Sequence, residues 1–283
     1  MEKIEFEDLA NCIRLSNGEV EVVVTTEVGP RIVSFSLVGG ENVLGYHRHA
    51  QVETPLGLWK PYGGHRLWIA PENMPKSYTP DNSPIEYFYD AAANSIRLVQ
   101  PLEPVTKTQK EIAVTLGKSG NEVKVEHKIT NCNSESLEIS LWALTIMRPG
   151  GEVYVPNEPF APYGSETLLP VRNLTCWSYT DLSDSRWRFD KEFIRLRVDE
   201  TKPEPQKIGV LNKLGWAKYR FGDLEFIKRF DFAEGAAYPD MNSNTEIYTA
   251  GSFVEIESLS PLVSLSANGG SAEHSEIWSL NKI

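Results

Sequence analysis

"KEIAVTLGKSGNEVKVEHKITN", residues Lys110 to Asn131, sets two arms of alternating apolar and polar residues around a short polar turn. The arms "EIAVTL" and "EVKVEHKIT" are rich in β-branched residues and repeat with a period of two, the spacing at which side chains leave one face of a strand. Between them "GKSGN" supplies the Gly, Ser and Asn chemistry that tolerates positive φ. The stretch predicts an antiparallel hairpin.

The same grammar extends in both directions. "EVEVVVTTEVG" (Glu19 to Gly29), "RIVSFSLVG" (Arg31 to Gly39), "SIRLVQPL" (Ser95 to Leu102) and "LEISLWALTIM" (Leu137 to Met147) all read as strands, as do "FIRLRV", "WAKYRF", "LEFIKRFDF", "FVEIESL", "LVSLSA" and "SEIWSLN" further on. No segment holds four turns of helical period. The nearest candidate is "DLSDSRWRFDKEFIRL", where a short helix is expected after Asp181 or Ser183 as cap. Many strands punctuated by Gly, Pro, Asn and Asp, with no alternating helices, predict an all-β, antiparallel sandwich. No fixed-period repeat or flexible linker divides the chain, so residues 1–283 are expected to form a single domain.

Composition narrows the function. A net charge of −11 opposes binding to nucleic-acid phosphates or anionic lipid, which draw their affinity from basic residues. Cys12, Cys132 and Cys176 are odd in number and lack C-x-x-C spacing, and read as buried thiols in a reducing compartment. The start "MEKIEFEDLANCIRL" has acids where a signal peptide needs a basic region and an apolar run, and no window approaches eighteen apolar residues, so a cytoplasmic protein without a membrane partner is expected. The five His and three Cys give no four-ligand spacing, so no metal and no other cofactor is expected. His47 and His49 in "GYHRHA" form an H-x-H pair, read either as a metal pair or as two surface histidines.

Two stretches carry chemistry. In "YGGHRLWIAPE" (Tyr62 to Glu72), Gly63 and Gly64 permit a sharp turn or a close approach, after which Arg66 and Trp68 share one strand face while His65 and Leu67 take the other. A guanidinium beside an indole suits a polyhydroxylated ligand, the fork serving oxygens and the ring covering C–H groups. The alternative is an Arg paired at the core edge and a Trp packed in the sandwich. In "GSFVEIESLSPL" (Gly251 to Leu262), Glu255 and Glu257 lie on one face, and repulsion or burial there raises a carboxyl pKa towards that of a useful general base. The alternative is a polar outer face on an edge strand. The preceding "YPDMNSNTEIYT" reads as a polar loop with Asp240, Asn242, Asn244, Glu246 and Tyr248.

Taken together, "LSNGEVEVVVTTEVGPRIVSFSLVGGENVL", "GGHRLWIAPE", "ITNCNSESLEISLWALTIMRPGG" and "GSFVEIESLSPLVSLSANGGSAEHSEIWSL" resemble the galactose mutarotase-like (aldose 1-epimerase-like) superfamily over nearly the whole chain, including its G-x-N-x-L ending at Gly40, Asn42 and Leu44. The resemblance implies an antiparallel β-supersandwich with a sugar site on one sheet. It implies an isomerase that interconverts anomers: a base takes the C1 hydroxyl proton, an acid protonates the ring oxygen, and the ring opens and recloses. Glu257 matches the family's base, with Glu255 beside it, and Arg66 matches its sugar-binding arginine. The family's acid histidine has no counterpart in "ISLWALTIMRPGG", where Trp142 or Thr145 occupies its neighbourhood. Either His65 acts from another strand, or catalysis is lost and the protein only binds carbohydrate. The expected site is therefore Glu257 and His65 as the catalytic pair, with Arg66, Trp68, Trp142, Thr145, Asp240 and Glu255 around a sugar or polyol. A monomer or homodimer is expected.

Overall fold

The computed structural model describes residues 1–283 as two large antiparallel sheets. The hairpin at its centre has the register its alternation requires. Thr108–Leu116 pairs with Glu122–Asn131, setting Ile112 opposite His127, Val114 opposite Val125 and Leu116 opposite Val123, all buried on one face. Gly120 in the turn takes φ +90°.

That hairpin belongs to a ten-stranded sheet that continues through Gly270–Lys282 to Leu224–Phe230, Trp216–Phe221 and Glu152–Pro156. The other sheet has eleven strands. Its middle runs Ile32–Leu37, His65–Ala70, Leu137–Met147, Phe253–Leu259, Thr245–Ala250 and Gln206–Val210 in spatial order. Facing rows from both sheets, among them Val22, Phe35, Leu67, Val114, Val125, Phe226 and Trp278, make one continuous core. Burying such rows is the main stabilising term, at about 25 cal/mol per Å² of apolar surface. The eleven-stranded sheet is also covered on its outer face, where Trp59, Trp68, Trp142, Leu144 and Leu259 form a second buried cluster. No helix is long and apolar enough to cross a membrane.

Gly63 and Gly64 open the His65–Ala70 strand because nothing larger fits. Gly64 has φ +67°, and a Cβ there would lie 2.1 Å from the Ile32 carbonyl oxygen; Gly63 has φ +97° and the same conflict with Gly45. Gly64→Ala is expected to destabilise the fold by about 1–3 kcal/mol from backbone strain alone, with steric displacement of the Ile32 strand added. Chemical denaturation checks this, and an unchanged midpoint would remove the close approach from the account.

Three sequence expectations are corrected. The segment after Asp181 forms turns and not a helix, because the Asp181 carboxylate captures the Ser183 amide and the Asp184 carboxylate captures that of Arg186. Thr245–Ala250 is a strand and not the end of a loop. Of the three free cysteines only Cys12 is buried; Cys132 and Cys176 are exposed.

Candidate functional site

Alternation along the central strands divides the predicted residues between two compartments. Arg66 and Trp68, Trp142, Glu255 and Glu257 leave the outer face of the eleven-stranded sheet, whereas His65 and Thr145 point inward between the sheets. Cross-strand register sets Trp68 opposite Trp142, Leu144 opposite Glu257, Ile146 opposite Glu255, Glu246 opposite Glu257 and Lys207 opposite Tyr248.

The outer face holds a cleft of about 800 Å³. Its floor consists of two ion pairs bedded on indoles. Arg66 Nη2 donates to Glu255 Oε1 at 3.0 Å, and the guanidinium lies 4.5 Å from the Trp68 ring centroid and 5.6 Å from that of Trp59. Lys207 Nζ donates to Glu257 Oε2 at 3.0 Å, lies 2.7 Å from Glu246 Oε2, and sits 4.6 Å and 4.8 Å from the rings of Trp142 and Trp177. Trp142 Nε1 also donates to Glu257 Oε2, at 2.7 Å. The rim comes from loops and strand ends: Pro203, Pro205, Tyr179, Gly251 and Ser252.

This arrangement assigns the residues differently from the sequence reading. Trp68 is 6% exposed and Trp142 2%, so each serves as a seat for a cation and not as an open plate for a sugar ring. Glu255 lines the cleft, while Glu257 is fully buried beneath Lys207 and Trp142. Asp240 lies outside the lining, in a short turn of left-handed residues, where its charge acts on Glu246.

Burial raises the Glu255 carboxyl above its ordinary pKa; Arg66 opposes the rise and Glu257 adds to it. Burial raises Glu246 much further, against the pull of Lys207. Burial works to lower the Lys207 pKa, but the negative charge of the Glu246–Glu257 pair outweighs it and holds the pKa well above the usual lysine value. Arg66 Nε and Nη1 and Trp59 Nε1 are buried donors with no partner in the protein, on two residues that line the cleft.

His47, Lys207 and Glu246 complete the site beyond the residues expected in it. His47 turns into the cleft with its ring 4.9 Å from that of Phe253, and its Nε2 is unpartnered; burial, with Arg66 nearby, lowers its pKa. His49 is exposed, so the two do not form a pair. The period-two pattern of "TEIYTA" puts Glu246 and Tyr248 on one face and was a usable signal; Lys207 lies in a five-residue strand with no distinguishing pattern.

His65 and Thr145 belong to a polar network inside the sandwich. His127 Nδ1 faces the His274 carbonyl at 2.9 Å and so carries a proton, which leaves its Nε2 to accept from His65 Nε2 at 2.6 Å. His65 Nδ1 then accepts from Thr145 Oγ1 at 2.8 Å, which accepts from Lys228 Nζ at 2.9 Å. Lys228 pairs with Glu276 at 2.8 Å, and Trp278 and Ser258 also donate to that carboxylate. Every proton is placed with neutral imidazoles. His65, His127 and Glu276 bring potential ligand atoms within 4.8 Å of one another, but the Lys228 ammonium already supplies the cation that Glu276 requires, which is a poor fit for a metal.

The network ties stability to pH. Burial lowers the pKa of His65 and His127 and pushes His274 down to about 3. A histidine whose folded pKa lies below its unfolded value stabilises the fold fully above the unfolded pKa, and that stability is lost as pH falls towards the folded value. Glu276 acts in the same direction: burial would raise its pKa, but Lys228 and the nearby histidines hold it well below the carboxylate range. Stability is expected to decline below about pH 6.5, by up to about 1.4 kcal/mol per pH unit for each imidazole kept neutral. Denaturation midpoints measured at several pH values check this; a flat profile down to about pH 4 would mean that the histidines protonate without penalty.

No family model matches the chain, and no curated protein matches its sequence. Solved structures do. A protein from Synechocystis sp. PCC 6803 aligns over 100% of both chains with a TM-score of 0.63 at 11% identity. A galactose mutarotase-like protein from Lactobacillus casei aligns over 95% of this chain and 100% of its own, with a TM-score of 0.60 at 11% identity. A protein from Escherichia coli K12, provisionally named an aldose 1-epimerase, aligns over 96% of this chain and 99% of its own, with a TM-score of 0.59 at 12% identity. With its two antiparallel sheets and end-to-end correspondence to such structures, the chain has the galactose mutarotase-like β-supersandwich fold.

Proposed function

We propose that the outer-face cleft binds an aldose and interconverts its anomers. The carrying observation is Glu255, a buried carboxyl on the cleft wall, held by Arg66 and raised in pKa. In this reading Glu255 takes the proton of the C1 hydroxyl while the Lys207 ammonium gives one to the ring oxygen. The ring opens, the carbonyl rotates, and both transfers reverse on closure, so no net proton is consumed. The positioned base contributes about 10²–10⁴-fold. Glu257 positions Lys207 from below in place of acting as the base, and the unpartnered donors of Arg66 and Trp59 serve sugar oxygens. His65, on the far side of the sheet, takes no part. The names of the structural neighbours support a sugar as the ligand.

Binding without catalysis is the second reading, favoured because both floor cations are already paired with carboxylates. Exchange NMR across a panel of aldoses separates the two: faster anomer exchange means an isomerase, and ligand shifts at the uncatalysed rate mean a binder. The free cysteines and the acidic chain support a cytoplasmic protein that does not bind nucleic acid.

A further inference from the structure

Below the cleft floor, three carboxylates share two cations. Arg66 answers Glu255, and Lys207 answers Glu257 by a hydrogen bond. Glu246 remains. It is 1% exposed and stands directly across from Glu257 in the neighbouring strand, and neither of its oxygens has a hydrogen-bond partner. Lys207 Nζ lies close to it, but off the axis of a hydrogen bond. Lys207 Nζ lies 2.7 Å from Glu246 Oε2 and 3.0 Å from Glu257 Oε2, so two ionised carboxylates would share one ammonium in a site closed to water; a neutral carboxyl on Glu246 leaves one charge of each sign.

The register explains how the cluster arises. Glu246 sits opposite Gly209, over which Ser243 and Trp177 pack too closely for any side chain, and Lys207, two residues before Gly209 on the same strand, reaches both glutamates. The charged and titratable groups around Glu246 are Lys207 from its own side of the sheet, Glu257 from the next strand and Asp240 from the preceding turn. Tyr179 and Tyr248 flank Lys207 from the rim side. Only Lys207 touches both the buried glutamates and the cleft.

We propose that Glu246 stores a proton beneath the cleft and that Lys207 passes it to the ligand's ring oxygen. The transfer deepens the anomer-exchange reading and rests on it; the storage does not. One N–H bond of Lys207 breaks as an O–H bond forms on the ring oxygen, and the Glu246 O–H proton moves to the vacated position on Nζ. Lys207 therefore never remains neutral. Glu255 holds the C1 hydroxyl proton meanwhile, and on closure both movements run backwards, leaving Glu246 protonated again. Glu246 acts through Lys207 and is a positioning residue that also supplies a proton. In this way the cleft does without an acid histidine of the usual kind.

Infrared spectroscopy of the full chain without ligand tests the store. At neutral pH the wild type is expected to show the C=O stretch of a protonated carboxyl, shifted when the protein is labelled with ¹³C-carboxyl glutamate, absent in Glu246→Gln and retained in Glu255→Gln. A wild type without that band, or a band that survives Glu246→Gln, overturns the store. The isotope shift assigns the band to a glutamate even if the variant fails to fold. Lys207→Arg tests the transfer, because guanidinium keeps the charge but gives up no proton. Its kcat for anomer exchange is expected to fall by about 10²-fold or more with KM nearly unchanged. A Lys207→Arg protein that turns over at the wild-type rate overturns the relay. Should the wild type accelerate no aldose, the anomer-exchange reading and the transfer step fall together, while the infrared band still decides the store.

Discussion

Glu276→Gln is expected to lower the unfolding free energy by about 3–5 kcal/mol, the range measured when one partner of a buried ion pair is removed. Lys228 and Glu276 are both inaccessible to solvent, and no other carboxylate reaches the Lys228 ammonium. The lysine would keep its carbonyl partners, Ala143 at 2.9 Å and Ile256 at 3.2 Å, but would lose its countercharge. Gln preserves the shape but offers one acceptor oxygen where the carboxylate had two, so it cannot accept from both Trp278 and Ser258, and the loss would report charge and hydrogen bonding and not a cavity. Adding Lys228→Met should recover much of the stability, because removing both charges also removes the desolvation penalty. Denaturant titration of the wild type, both single variants and the double variant measures the coupling. A loss below about 1 kcal/mol in Glu276→Gln would mean that water or a neutral lysine relieves the site.

For the cleft, Glu255→Gln is expected to reduce kcat for anomer exchange by about 10²–10⁴-fold while KM changes little, since Gln keeps an acceptor for Arg66 but not the basic oxygen. The fold should hold, because the substitution neither opens a cavity nor leaves the Arg66 group without a hydrogen-bond acceptor. Glu257→Gln should behave differently. That residue holds Trp142 and Lys207 together, so binding, stability and turnover are expected to fall at once. NMR exchange rates and melting curves on the two variants decide between them. A fully active Glu255→Gln would move the base elsewhere, and a stable, selectively inactive Glu257→Gln would return that role to Glu257.

The hairpin from Lys110 to Asn131 was legible because its pairing is local and one of its faces is buried, so alternation and turn chemistry agree. The middle of the eleven-stranded sheet was not readable in the same way. Its strands are buried on both faces, so period two separates His65 from Arg66 without saying which of them meets the ligand. His65 was accordingly expected in the cleft and lies between the sheets. The indole of Trp68 was recognisable as a large apolar surface, but only the structure reveals that Arg66 already covers it. Glu255 and Glu257 were correctly paired on one face by spacing; their different depths depend on Lys207, more than 45 residues away in sequence and in a strand too short to announce itself. Asp240 stood in a polar run that the backbone turns aside from the cleft. Long-range register, and not residue type, separates what was readable from what was not.

The cleft's floor and rim differ in how freely they can drift. Each floor side chain is fastened to at least one other: Arg66 to Glu255 and Trp68, and Lys207 to Glu246, Glu257 and Trp142. A change at any one strands its neighbours, so inherited variation there must come in matched sets. Pro203, Pro205, Tyr179 and Ser252 carry no such obligations and sit where the chain leaves its strands. Single substitutions at the rim can therefore redirect which ligand enters, while a single change on the charged floor disturbs the partners it is fastened to.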